Sequence, residues 1–171
     1  MRNEVKDMEK IYEAIIEIPM GTKNKYEIDK ARNRIKLDRV LYSPMTYPAE
    51  YGYIEETLAE DNDPLDILVL ASSKTFPGCI VDARIVGYLN MIDSDEPDQK
   101  IIGVMNNDPR FSHINDINDI QQHTLREIKH FFKTYKDLQQ NKTVEVFDFH
   151  DKIDALELIQ ECKQRYIGVK E

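Results

Sequence analysis

Apolar residues keep strand-like spacing for most of this 171-residue chain and turn to helical spacing only late. Up to about residue 105 they sit in short runs or alternate with polar residues, the pattern of strands. Beyond Asp119, Ile120, Leu125, Ile128, Phe132, Tyr135 and Leu138 fall near helical spacing, with Asp119 placed to cap the helix. The first part predicts strands at 12–18, at 25–29 and 34–40 as a hairpin around a polar turn, and near 51–55, 65–71, 80–91 and 100–105. The segment 106–118 reads as irregular, and residues 1–11 as a frayed turn or short helix. A strand at 143–147 then leads into a last helix at about 151–166, with Ala155, Leu156, Ile159, Cys162 and Tyr166 on one face. Many strands first and two helices late, without strand–helix–strand alternation, predict an α+β fold that is mainly β. The sheet is antiparallel or a small closed barrel, with helices against it. The length fits a single domain over 1–171.

Charge narrows the function. The chain carries 32 acidic against 23 basic residues, a net charge of −9. That argues against a nucleic-acid partner, which needs a basic face to displace counterions. A local basic pocket for a small anion remains compatible with it. Cys79 and Cys162 have no metal-ligand spacing and build no disulfide framework, so they read as buried thiols in a reducing compartment. No secretory apolar core follows Met1, and no apolar stretch approaches a membrane span, so the expectation is a cytoplasmic protein with no membrane partner. The histidines (His113, His123, His130, His150) form no ligand pattern and read as surface or capping groups.

Four groups of residues can carry chemistry. Asp61-Asn62-Asp63-Pro64-Leu65-Asp66 packs three carboxylates before the apolar run Ile67-Leu68-Val69-Leu70. Like charges this close repel unless a cation sits among them, and a hard divalent ion takes oxygen ligands; a polar surface loop turned by Pro64 is the other reading. It is not an EF-hand, because Leu65 and Asp66 occupy positions that need a ligand and a glycine. A second acidic segment runs Asp93-Ser94-Asp95-Glu96-Pro97-Asp98-Gln99-Lys100. It reads as a solvated hairpin loop, or as a site where Asp98 and Lys100 share a strand face. Glu17, Lys25, Glu27 and Arg39 lie on three successive strands, as surface ion pairs or as a site wall. Tyr47, Tyr51, Tyr53 and Tyr135-Lys136 offer packing or neutral donors to anionic oxygens.

In sequence order these groups resemble family I soluble inorganic pyrophosphatases of bacterial type. The likeness runs from about Ile16 to about Val146 through EIP (17–19), KYEID (25–29), DR (38–39), YPAEYGYI (47–54), DNDPLD (61–66), DPRFSHI (108–114) and HFFKTYKDL (130–138). The resemblance implies a five-stranded OB-like barrel and Mg²⁺-dependent hydrolysis of pyrophosphate to two orthophosphates. It implies several Mg²⁺ ions per site, with Mn²⁺ or Zn²⁺ able to substitute, and a homohexamer. By the same resemblance Asp61, Asp66 and Asp98 hold activating metal, and Asp93 and Glu27 serve further metal positions. Asp63 is the general base, and Glu17 and Tyr47 are supporting groups. Lys25, Arg39, Tyr51, Lys100, Tyr135 and Lys136 hold phosphate. Glu50 and Thr143 depart from the family pattern, which carries Asp or Asn and often Trp there, and neither is expected to touch phosphate. Asp95 and Glu96 match nothing the family requires and are expected to face water. A hydrolase for another phosphate compound, a single-strand-binding barrel and a catalytically idle metal-binding domain are the competing classes. The last two are disfavoured by the charge and by the full set of acids and bases.

Overall fold

The run Ile67-Leu68-Val69-Leu70 lacks polar alternation because both faces of its strand are covered. Ile67 and Val69 pack in one core with Ala83, Ile85, Ala155, Leu156, Ile159 and Cys162, whereas Leu68 and Leu70 pack in another with Ile102, Val104, Ile128, Phe131 and Phe132. A strand buried on both sides reads as a continuous apolar run. The computed structural model describes residues 10–171, so the turn or helix expected at 1–11 lies, up to residue 9, outside the described residues. From Ile11 the chain is already in strand.

The elements are β1 (Ile11–Ile18), β2 (Asn24–Asp29), β3 (Arg34–Val40), β4 (Glu50–Ile54), β5 (Asp66–Leu70), β6 (Ile80–Asp93), β7 (Glu96–Pro97), β8 (Lys100–Met105), α1 (Gln122–Thr134), β9 (Val144–His150) and α2 (Lys152–Lys170). Strands β1, β4, β5, β8 and β6 pair in that cyclic order, and β6 returns to β1. The ring is the expected closed five-stranded barrel with two flanking helices. Its β5–β8 pair is parallel and its other pairs are antiparallel. β2 and β3 form a separate hairpin, and β7 and β9 extend β6 beyond the ring.

Two bulges set side chains near the barrel mouth. Between β1 and β4 the register passes from Ile16↔Gly52 to Ile18↔Tyr51, leaving Glu17 as the extra residue. Between β2 and β3 it passes from Lys25↔Arg39 to Tyr26↔Leu37, leaving Asp38. A bulge re-aims a side chain without ending the strand. The close approach at the first bulge requires glycine, since a Cβ at Gly52 would stand 1.8 Å from the Ile15 carbonyl oxygen. Gly52→Ala should therefore lose more than about 3 kcal/mol by overpacking against backbone, read as a lowered denaturation midpoint. A parent-like midpoint would mean that β1 and β4 do not approach in this way.

The helical expectations need correction at their ends. α1 begins at Gln122 rather than Ile120. Asp119 caps nothing there, because its carboxylate accepts from the Asn115 and Asp116 N–H groups of a preceding 3₁₀ turn. Ile120 is buried before the helix starts, Tyr135 is its C-cap, and Leu138 is exposed rather than part of the buried stripe. α2 runs on to Lys170, and β9 extends to His150. Cys162 is buried as expected, but Cys79 is half-exposed on the loop before β6. Among the described residues no helix is long and apolar enough to cross a membrane.

Candidate active site

The carboxylates of two distant loops meet because β5 and β8 are neighbours in register. Asp66 opens β5 and Lys100 opens β8, and the parallel pairing sets them side by side. Lys100 Nζ, 3% exposed, donates to Asp66 Oδ2 at 2.6 Å, to Asp98 Oδ1 at 2.8 Å and to the Tyr51 hydroxyl at 2.9 Å. Tyr51 in turn donates to Asp66 Oδ2 at 2.9 Å. Asp98 lies before β8 rather than on one strand face with Lys100, its N–H bonded to the Met91 carbonyl at 2.9 Å, and from there its carboxylate reaches Lys100. Burial works against the Lys100 ammonium, but the charges around it, Asp66 foremost, hold its pKa well above the usual lysine value. Burial raises the Asp98 carboxyl despite Lys100.

These groups belong to a cavity of about 240 Å³. Asp61, Asp63, Asp66, Asp93, Asp98, Lys25, Arg39, Tyr47, Tyr51, Lys100, Tyr135 and Lys136 all line it. Asp61 and Asp63 come from the β4–β5 loop, where the Asp63 N–H donates to Asp61 Oδ1 at 3.1 Å. Burial pushes the Asp61 carboxyl up to about 6, and the charges of Asp98, Asp63 and Asp66 add to it against that hydrogen bond. Asp93 ends β6 and accepts from Lys136 and, at 3.5 Å, from the Tyr135 hydroxyl. Burial would raise Asp93, but Lys136 brings its carboxyl below the usual range. Burial raises the phenols of Tyr47 and Tyr135 further above neutral pH, so both stay protonated, and Tyr135 donates to Asp93. Tyr47 also packs at a tilt against Tyr51 and Phe131, which makes it part of the cavity wall.

Glu17 and Glu27 are not on this cavity. They line an adjoining one of about 380 Å³, which shares Lys25, Tyr51, Asp63 and Asp66 with the first. The Glu17 carboxylate accepts from the Ile28 N–H at 2.8 Å, tying β1 to the hairpin, and burial raises its pKa. The metal role expected for Glu27 therefore concerns the neighbouring cavity in this structure.

Three residues of the site were given no role from the sequence. Asp38, delivered by the bulge, accepts from Lys25 Nζ at 3.3 Å and Arg39 Nη1 at 3.0 Å through one oxygen; its motif with Arg39 was the available signal. Phe132 forms part of the wall, with Lys100 Nζ 5.7 Å from its ring centre. Glu96, expected to face water, is exposed but borders the cavity opposite Asp93. Glu50 lies wholly buried outside the cavity, accepting from the Met20 N–H and from the Thr75 N–H and hydroxyl at 3.3, 3.1 and 2.7 Å. Thr143 is exposed, and its carbonyl holds the Ser94 N–H of the second acidic loop.

The inorganic pyrophosphatase family model matches residues 14–167. The chain is 60% identical to the inorganic pyrophosphatase of Halalkalibacterium halodurans over 159 residues, covering 93% of this chain and 97% of that one. It is 59% identical to that of Geobacillus stearothermophilus, covering 92% and 94%. Among solved structures, the inorganic pyrophosphatase of Thermus thermophilus superposes with a TM-score of 0.91 at 46% identity, over 93% of this chain and 92% of that one. That of Helicobacter pylori gives 0.90 at 41% identity, over 95% and 98%. With the closed barrel, the acid-lined cavity and likeness along nearly its whole length, the chain belongs to the family I inorganic pyrophosphatases.

Proposed function

We propose that the cavity between the two acidic loops is the reaction centre of this inorganic diphosphatase, and that Mg²⁺ is its metal. Hydrolysis of pyrophosphate follows from family membership, as does the need for a divalent cation. The observation that carries the site assignment is the meeting of five aspartates with Lys25, Arg39, Lys100 and Lys136 in one small cavity. A surface of solvated ion pairs would not gather both charges around one cavity.

The residues fit a hard divalent ion. Their donors are carboxylate oxygens, the chemistry Mg²⁺ takes. The Lys100 ammonium between Asp66 and Asp98 is a stand-in cation, and it shows that these oxygens already converge on positive charge. Among the described residues no three metal-ligating side chains are grouped to hold an ion; Asp66 and Asp98 pair with Lys100, and Asp93 with Lys136. Asp61, Asp66 and Asp98 would hold the ion, with Asp93 and Glu27 serving further ions. When bound, the metal lowers the pKa of water and offsets charge on phosphoryl oxygens.

The protein's own groups divide the remaining work. The exposed Asp63 carboxylate accepts the proton of the attacking water. Lys25, Arg39, Lys100 and Lys136 turn toward phosphate oxygens, and Tyr51 and Tyr135 add neutral donors. Charge spreads over those oxygens in the transition state, so fixed cations stabilise it more than the ground state. An acidic protein can thus accept an acidic substrate. The reading extends to a single domain, a cytoplasmic location and a homohexamer. Exposed apolar side chains such as Ile35, Leu37, Phe76 and Ile80 support self-association, which light scattering would show as a mass of one subunit if this is wrong.

A phosphate-release assay on pyrophosphate, ATP and tripolyphosphate tests the function. Release should be strongest from pyrophosphate, depend on Mg²⁺ and be inhibited by Ca²⁺, whose longer bonds and extra ligands relax the geometry. Turnover that survives exhaustive chelation would overturn the mechanism.

Arg39→Lys should be harmful although it keeps the charge. Arg39 Nη1 is held by Asp38, and the side chain lines the cavity, where its guanidinium can meet an anion. A planar fork meets two phosphate oxygens at once, and an ammonium does not. Loss of one charge-assisted hydrogen bond, ~1.5–3 kcal/mol, lowers kcat/KM about tenfold or more. Unchanged kinetics would return Arg39 to a surface ion pair.

A further inference from the structure

The loop that carries Asp61 and Asp63 is held from behind by a helix that contributes no residue to the cavity. Its neck is closed between strands. The Ile54 N–H donates to the Leu65 carbonyl at 3.0 Å, and the buried Thr57 hydroxyl donates to the Ile54 carbonyl at 2.6 Å while accepting from the Leu65 N–H at 2.9 Å. The next residue, Leu58, gives both its backbone groups to α2. Its N–H donates to the Cys162 carbonyl at 2.9 Å, and its carbonyl accepts from Arg165 Nη1 at 2.7 Å. Ala59 then sits in the same apolar core as Ala155, Leu156, Ile159 and Cys162. From there the Ala59 N–H donates to the Asp63 carbonyl at 2.8 Å, and the Asn62 N–H donates to the Ala59 carbonyl at 3.1 Å. A short, fully bonded path therefore joins the α2 backbone to both acids.

We propose that α2 is a clamp on the acid loop and that Arg165 is a positioning residue, acting through Leu58 on where Asp61 and Asp63 stand. The inference rests on the assignment of Asp61 to metal and Asp63 to base. Without the clamp the loop would be held by the neck, which has left-handed backbone at Glu56 (φ 56°), and by the Ala59–Asp63 turn, which has it at Asn62 (φ 66°). Side chains that must meet an ion or a water tolerate little displacement, and a shift of about 1 Å can cost ~10²-fold.

The test is calorimetric titration of the full chain with Mg²⁺ in the absence of substrate, together with amide exchange in metal-free protein. Arg165→Met keeps the aliphatic stem and removes the donor. It should weaken Mg²⁺ binding about tenfold, the low end for loss of a group that orients a metal ligand, and speed exchange at the Leu58 and Ala59 amides. Arg165→Lys, which keeps one donor, should recover most of both. Thr57→Val should weaken Mg²⁺ through the neck with α2 intact. Lys163 sits over the Tyr12 ring, 4.8 Å from its centre and away from Leu58, so Lys163→Ala should bind Mg²⁺ as the parent does. Parent-like Mg²⁺ binding by Arg165→Met, or equal weakening by Lys163→Ala, would overturn the clamp. A parent that bound no Mg²⁺, or an Asp66→Asn variant that bound it normally, would instead overturn the site assignment beneath it.

Discussion

Asp63→Asn should lose turnover by ~10²–10⁴-fold, the usual cost of removing a general base, while binding Mg²⁺ nearly as the parent does. The structure separates Asp63 from its neighbour Asp66 in a way that motivates this. Asp66 accepts from both Lys100 and Tyr51 and is built into the start of β5. The Asp63 carboxylate bonds to no other described residue, so it is free to take a proton. The loop uses Asp63 only through its backbone, with the N–H on Asp61 and the carbonyl on Ala59, so an isosteric Asn leaves the loop shape alone. Asp66→Asn, by contrast, should weaken metal binding itself and leave Lys100 with one carboxylate fewer. Calorimetry on both variants decides the matter: equal loss of Mg²⁺ affinity would show that the two acids do not divide these roles.

The second large effect separates neighbours in the other acidic loop. Asp98→Asn should lose most activity and need far more Mg²⁺. Its carboxylate is only 15% exposed, and its oxygen faces the buried Lys100 ammonium, so the lost charge is not replaced by solvent. Asp95→Asn removes the same charge three residues away and should stay within about twofold of the parent, since exposed charges contribute little. The geometry adds a reason. Ser94 and Asp95 both have positive φ, 52° and 68°, and link β6 to β7 as a two-residue turn. Asn suits that conformation well, so Asp95→Asn favours the turn. Equal damage from both substitutions would mean that the loop acts through net charge. Equal tolerance would place it outside the site.

Much of the architecture was legible in the sequence because it depends on local spacing. The change from alternation to helical period marked the barrel strands and the two helices, and the burial of β5 on both faces was already visible in its unbroken apolar run. Boundaries were less legible where tertiary contacts outweigh local preference. Asp119 resembles a helix cap in sequence, but the 3₁₀ turn from Ile117 to Asp119 uses its carboxylate first. Leu138 keeps helical spacing beyond a helix that has already ended.

The two acidic loops were visible as charge clusters, and Asp98 and Lys100 as a pair, because each lies within a few residues of the other. What joined them was the β5–β8 register, which brings Asp66 beside Lys100 across 34 positions of sequence. No local pattern encodes that. The same holds for the bulges that deliver Glu17 and Asp38, since a bulge is a mismatch between two strands and belongs to neither alone. It holds again for α2, whose own sequence looks generic and whose backbone and Arg165 nonetheless grip Leu58, 107 residues earlier for the arginine contact. The sequence by itself determined which chemical groups are present and which elements carry them. The tertiary structure decided which of those groups share one cavity, which stand in the next one, and what holds them there, because strand register and helix docking act between segments far apart along the chain.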